Sequence, residues 1–197
     1  MNEFDPSAFA TRTVRARLLV DAAHYDEIVT GALAKASISV WIATANLKTM
    51  LVEAPIGSRA RARGRFVSGL EVLSDLGKRG VEVKMLHASA PSGPLRSELG
   101  KIARTPRFEM RQCPRVHLKM IAVDGKWLYV GSANWTGAGL GAKGEGRRNF
   151  EMGIVTDDHM MLDVAQERFF RIWRGAECAA CKVRATCPKP IDRLVPG

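Results

Sequence analysis

Strands alternating with helices predict an α/β fold, and three observations carry that reading. Apolar segments rich in β-branched residues recur along the chain, the clearest being Ser37-Ile-Ser-Val-Trp-Ile-Ala-Thr-Ala45. Between such segments, apolar residues fall at helical spacing, as Tyr25, Ile28, Val29, Leu33 and Ala36 do. The segments are also punctuated by turn chemistry, most sharply at Asp124-Gly125, a strong hairpin dipeptide.

Taken in order, residues 13–20 have the content of a strand, and Asp21 offers an N-cap to a helix over 22–36. The 37–45 segment is a buried strand. Residues 48–65 carry Pro55, Gly57 and Gly64 and read as a basic loop. Phe66, Leu70, Leu73 and Leu76 form the stripe of a second helix, with Gly80 as its stop. A strand over 81–86, a Pro/Gly/Ser turn and a short helix around 95–103 follow. Strands over 115–123 and 126–130 make a hairpin, a Gly-rich loop spans 137–146, and 150–155 is a further strand. Met161, Leu162, Ala165, Phe169, Ile172 and Trp173 make the last helix. No segment is repeated. The 197 residues suit one domain over 1–175 with a small Cys-rich tail, 176–197, packed on it.

Thirty Lys and Arg against 20 Asp and Glu leave a net charge of +10, with an isoelectric point near 9.9. That excess points to a polyanionic partner, nucleic acid or an anionic membrane surface. The N-terminus has neither the basic start nor the apolar run of a secretory signal. No segment approaches the ~18 apolar residues that span a bilayer. A cytoplasmic protein with reduced cysteines is therefore expected.

The chemistry is concentrated in His117-Leu-Lys-Met-Ile-Ala-Val-Asp-Gly-Lys-Trp-Leu-Tyr-Val-Gly-Ser-Ala-Asn134. On a strand, residues two apart share a face, so His117 and Lys119 project together, as do Ser132 and Asn134 on the returning strand. An imidazole, an ammonium, a hydroxyl and an amide then converge at one sheet end. That set suits phosphoryl transfer, with the imidazole as nucleophile or acid and fixed donors for the phosphate oxygens. A lone strand histidine is usually structural, but four such groups at these spacings rarely coincide by chance.

The pattern H-x-K-x4-D followed by x6-G-S-x-N resembles the signature of the phospholipase D superfamily, met here at His117, Lys119, Asp124, Gly131, Ser132 and Asn134. The order of strands and helices over 13–174 is similar to the family domain, which implies a mixed sheet flanked by helices. The resemblance further implies a covalent phosphohistidine at His117, with Lys119 and Asn134 holding phosphate oxygens and Ser132 supporting them. Glu151, in the similar segment Asn149-Phe-Glu-Met-Gly-Ile-Val, would orient the imidazole. Asp124 and Gly131 would serve structure. The chemistry needs two histidines in opposed roles and the chain carries one motif. A homodimer with a composite active site is therefore expected, as in small bacterial nucleases of the superfamily, and no catalytic metal.

Two features lie outside that motif. Arg59, Arg61, Arg63 and Arg65, with Arg147 and Arg148, would clamp a nucleic-acid backbone without reading its sequence. Cys178-x2-Cys181-x5-Cys187, with the distant Cys113, is a compact thiolate set. It fits structural zinc, the first choice, or an iron–sulfur cluster, since its spacing resembles the iron–sulfur staple of certain nucleases of another fold. The function expected is a nuclease acting on DNA or RNA. The alternatives are a phospholipid-hydrolysing enzyme and a nucleic-acid-binding subunit with a vestigial site.

Overall fold

Alternation of apolar side chains along each strand gives the central sheet two buried faces, and the helices divide between them. In the computed structural model, residues 10–54, 57 and 62–194 are described. Seven strands form a mixed sheet: β1 (Ala16–Val20), β2 (Ser39–Thr44), β5 (Glu82–His87), β6 (Phe108–Gln112), β7 (Met120–Val123), β8 (Trp127–Gly131) and β9 (Met152–Thr156). Their order across the sheet is β1-β9-β8-β7-β2-β5-β6. β2, β5 and β6 run parallel, while β7, β8, β9 and β1 continue antiparallel from β2. The α/β architecture, a mixed sheet flanked by helices, is as the sequence predicts.

One face buries Val40, Ile42, Val83, Met85, Ile121 and Tyr129. Against it lie a helix over Tyr25–Leu33 and α1 (Gly69–Lys78), with Leu95 of α2 (Gly93–Ile102). The first helix is wound with π-type bonding. The Thr30 hydroxyl donates to the Asp26 carbonyl at 2.8 Å, occupying the i−4 position and widening the ladder. The opposite face buries Ala43, Leu86, Met120, Ala122 and Leu128 under α3 (His159–Trp173). Phe169 anchors this side, stacked between Trp41 (5.5 Å) and Trp173 (5.6 Å).

Three sequence expectations need correction. The 48–65 segment is not all loop: β3 (Leu51–Glu53) pairs antiparallel with β4 (Phe66–Ser68), and Phe66 lies on that hairpin, 62% exposed, rather than on a helix. Ser68 is instead the N-cap of α1, accepting from the Leu70 N–H at 3.1 Å. β6 is an additional strand, because Phe-Glu-Met-Arg-Gln has too little β-branched content to announce a sheet edge. Finally, regular pairing of β7 begins at Met120, so His117 and Lys119 stand on its irregular lead-in rather than on a strand extending from residue 115.

The tail after α3 turns back at Gly175, which takes a left-handed φ of 75°. A Cβ there would lie 2.7 Å from the Asp192 Cα, so the close approach of the returning tail also requires glycine. Ile191 is the buried apolar side chain among residues 176–194 and joins the α3-side core.

Candidate active site

The β7–β8 hairpin places the site. Asp124 and Gly125 both have positive φ (54° and 62°), which closes the turn tightly and sets Met120 opposite Val130. Asp124 is a strand cap. Its carboxylate accepts from the N–H groups of Ser37 (3.0 Å), Ile38 (2.7 Å) and Ser39 (2.9 Å) and from the Ser37 hydroxyl (2.8 Å). Burial pushes this carboxyl upward, but those bonds outweigh it and hold it below the usual range. It lies at the far end of the hairpin from His117.

At the near end, Lys119 Nζ donates to the His117 carbonyl at 3.0 Å and lies 3.2 Å from both ring nitrogens. Burial lowers the Lys119 pKa, and the charge of Glu151 partly restores it. Ser132 follows β8 and donates to Glu151 Oε2, while its own oxygen accepts from the Met152 N–H at 3.0 Å. Asn134 Oδ1 accepts from the Asn46 N–H (2.9 Å) and the Thr44 hydroxyl (3.3 Å) at the end of β2. This leaves its Nδ2 as a donor with no partner among the described residues. His117, Lys119, Val130, Gly131 and Met161 line one open cleft.

Glu151 is buried and fixed from three sides. Asn149 Nδ2 donates to Oε1 at 3.0 Å, Ser132 holds the other oxygen, and Asp21 accepts from the Glu151 N–H at 2.9 Å. A bond from Glu151 to the His117 ring, which the resemblance implies, is not formed among the described residues of the single chain. Glu151 touches Ser132 and acts on Lys119 by charge. Asn149, Asp21, Thr44 and Asn46 are supporting residues whose part in the site sequence reasoning does not single out; Asp21, expected to cap the first helix, accepts instead from the Glu151 N–H, and His24 stands at that helix's N-cap. Only Asn149 carries a signal, lying two residues before Glu151, the spacing that puts side chains on one side of an extended chain.

Gly131 and Gly153 are required by packing against Tyr129, whose ring is fully buried. A Cβ on Gly131 would lie 2.7 Å from the Gly153 Cα, and one on Gly153 would lie 2.9 Å from the Tyr129 Cζ. Burial raises the phenol to about 12, so it stays neutral and accepts the Ala133 N–H at 3.2 Å. The tyrosine thereby holds the Gly-Ser-Ala-Asn turn.

The sequence matches a family profile described as "Cardiolipin synthase, PLD-like domain" over residues 29–173. The chain belongs to the phospholipase D superfamily. The mitochondrial cardiolipin hydrolase of Danio rerio is 27% identical over 113 residues, 56% of this chain and 47% of that protein. The chain thus spans about half the length of that curated relative. Two solved structures share the fold, each covering 81% of this chain and 95% of theirs. They are NucT from Helicobacter pylori (TM-score 0.56, 16% identical) and the phospholipase D family member Nuc from Salmonella typhimurium (TM-score 0.57, 18% identical).

Of the remaining sequence candidates, Arg63, Arg65 and Arg147 are exposed and Arg148 is half-buried, whereas Arg59 and Arg61 lie outside the described residues. Cys113, Cys178, Cys181 and Cys187 are half-buried free thiols that line a second cavity, separated from the cleft by Arg168, which borders both. No described helix is long and apolar enough to cross a membrane.

Proposed function

We propose that this phosphodiesterase-superfamily chain is a nuclease that cleaves DNA or RNA phosphodiesters through a phosphohistidine on His117. The observation that supports this best is the joining of His117, Lys119, Ser132 and Asn134 at one sheet end, with Lys119 Nζ 3.2 Å from the imidazole nitrogens. In the proposed reaction an imidazole nitrogen of His117 attacks phosphorus. The P–O bond to the leaving strand breaks, and that oxygen takes a proton from a second His117. Water then attacks the phosphohistidine and gives its proton to that same second histidine, which regenerates both. Lys119 and the Asn134 amide donate to the phosphate oxygens as charge builds on them.

The second histidine would come from a second copy. β1, β8 and β9 bury Leu19, Tyr129 and Val155 on one face but leave Leu18 (57%), Val20 (47%), Val130 (40%) and Met152 (58%) exposed on the other. This uncovered apolar face runs up to Ser132 and the cleft, where a two-fold axis would join two sites. The exposed Arg63, Arg65 and Arg147, and the net charge of +10, suit a nucleic-acid backbone.

Hydrolysis of cardiolipin is the second reading, favoured by the zebrafish relative and by the same apolar surface, which includes Phe150 at 96% exposure. The test offers DNA, RNA and cardiolipin vesicles to wild type and to His117→Ala with EDTA present. The expected result is nucleic-acid cleavage by wild type alone. Cleavage of cardiolipin only would select the lipid reading. Equal activity in both proteins, or strict dependence on Mg²⁺, would overturn the mechanism.

A further inference from the structure

The four cysteines take no part in the proposed reaction, yet the fold brings them to one place by two routes. Cys113 follows β6, its N–H donating to the His87 carbonyl at 2.9 Å and its carbonyl accepting from Val116 at 2.9 Å. Cys178, Cys181 and Cys187 come from the tail, which winds in successive tight turns. Cys181 donates to Cys178 at 3.1 Å, Arg184 to Cys181 at 3.0 Å and Cys187 to Arg184 at 3.2 Å, all through backbone groups. All four line a single cavity of about 70 Å³. That is several times the roughly 10–15 Å³ one water centre needs.

Apolar packing accounts for only part of this convergence: Cys113 and Cys178 pack against the α3-side core, whereas Cys181 and Cys187 do not. A free cysteine can serve as a small hydrophobe, but each of the four remains half-buried, and Ile191 is the buried apolar side chain of the described tail. Disulfides do not account for the rest, because all four are free thiols. Ligation accounts for it. A single tetrahedral zinc, with Zn–S of about 2.3 Å, needs its sulfurs about 3.8 Å apart. The void that the four thiols border, about 70 Å³, exceeds what one such ion occupies. Four thiols facing a shared void suit a larger occupant. In an iron–sulfur cluster, metal and sulfide ions lie between the cysteine sulfurs and hold them further apart. Arg115 and Lys189 also line the cavity and would offset the negative charge of four thiolates.

We propose that Cys113, Cys178, Cys181 and Cys187 ligate an iron–sulfur cluster that staples the tail to the end of β6. This reverses the preference for zinc that spacing alone suggests. The staple sits four residues before His117, and Val116, only 3% exposed, packs in the α3-side core. The cluster would therefore hold the irregular lead-in on which His117 and Lys119 stand. Each thiol gives up its proton as it binds iron.

The test is purification of the full chain without oxygen, a visible spectrum, and assay of iron, acid-labile sulfide and zinc. The expected protein is brown, with about two or four irons and matching sulfide per chain. Cys113→Ser should lose colour and iron while its far-UV circular dichroism is retained. Should that variant fail to fold, the metal content of wild type decides alone. Colourless wild type with about one zinc per chain overturns the cluster. So does wild type that holds neither metal after anaerobic incubation with ferrous iron, ferric iron and sulfide.

Discussion

Replacing Asp124 should cost stability and spare the chemistry, although it belongs to the same motif as His117. Its carboxylate satisfies four donors at the start of β2: three backbone N–H groups and the Ser37 hydroxyl. The site is partly open to water, so each bond is worth about 0.5–1 kcal/mol net, giving about 2–4 kcal/mol in all. Asp124→Ala loses every bond and adds about 1 kcal/mol for a Cβ residue at φ 54° that no polar side chain now supports. The total of about 3–5 kcal/mol should lower its Tm by about 6–20 °C at about 2–4 °C per kcal/mol. Asp124→Asn tolerates that φ and keeps one oxygen, so about half the loss is expected. The folded-state carboxyl is held below its usual range. Its charge therefore stabilises fully above the unfolded value of about 3.9, and this is lost as pH falls through the lower folded value. The gap between wild type and Asp124→Asn should close in acid. Urea unfolding across pH, with kcat on nucleic acid at neutral pH, reads both effects. A kcat within about threefold of wild type is expected, under 1 kcal/mol of barrier. A loss of about a hundredfold with unchanged stability would place Asp124 in the chemistry and refute the reasoning.

Glu151→Gln removes the charge that supports protonated Lys119, so the lysine pKa should fall further and the alkaline limb of kcat/KM should move to lower pH. A limb that stays in place would separate Glu151 from Lys119. Gly153→Ala drives a methyl onto the buried Tyr129 ring and should cost about 1–3 kcal/mol in denaturant unfolding; an unaffected midpoint would show that the strands part freely. Replacing Arg63, Arg65 and Arg147 by Ala should reduce the salt slope of DNA binding by about 0.7–0.9 for each phosphate no longer neutralised. An unchanged slope would leave those arginines merely solvated.

The hairpin and its neighbours are legible in the sequence because Asp124-Gly125 and the alternation of apolar residues fix register locally. His117, Lys119, Ser132 and Asn134 can be named because their spacing is short and rigid. What holds them cannot, since Thr44, Asn46 and Asp21 reach the site from strands distant in sequence. The β3–β4 hairpin is hidden by its arginine-rich connection, and Phe66 misleads because an exposed aromatic mimics the start of an apolar helical stripe. Glu151 is found by its position, but its role is not: whether a buried carboxylate meets Ser132 or His117 depends on side-chain reach, which spacing does not encode.

The stereochemical course at phosphorus tests the central claim most directly. A covalent phosphohistidine requires two in-line displacements, one by His117 and one by water, each inverting the phosphorus. With a chiral phosphorothioate diester, hydrolysed in isotopically labelled water, the account predicts net retention and no turnover by His117→Ala. Net inversion would mean that water attacks the diester directly, and would contradict His117 as the nucleophile.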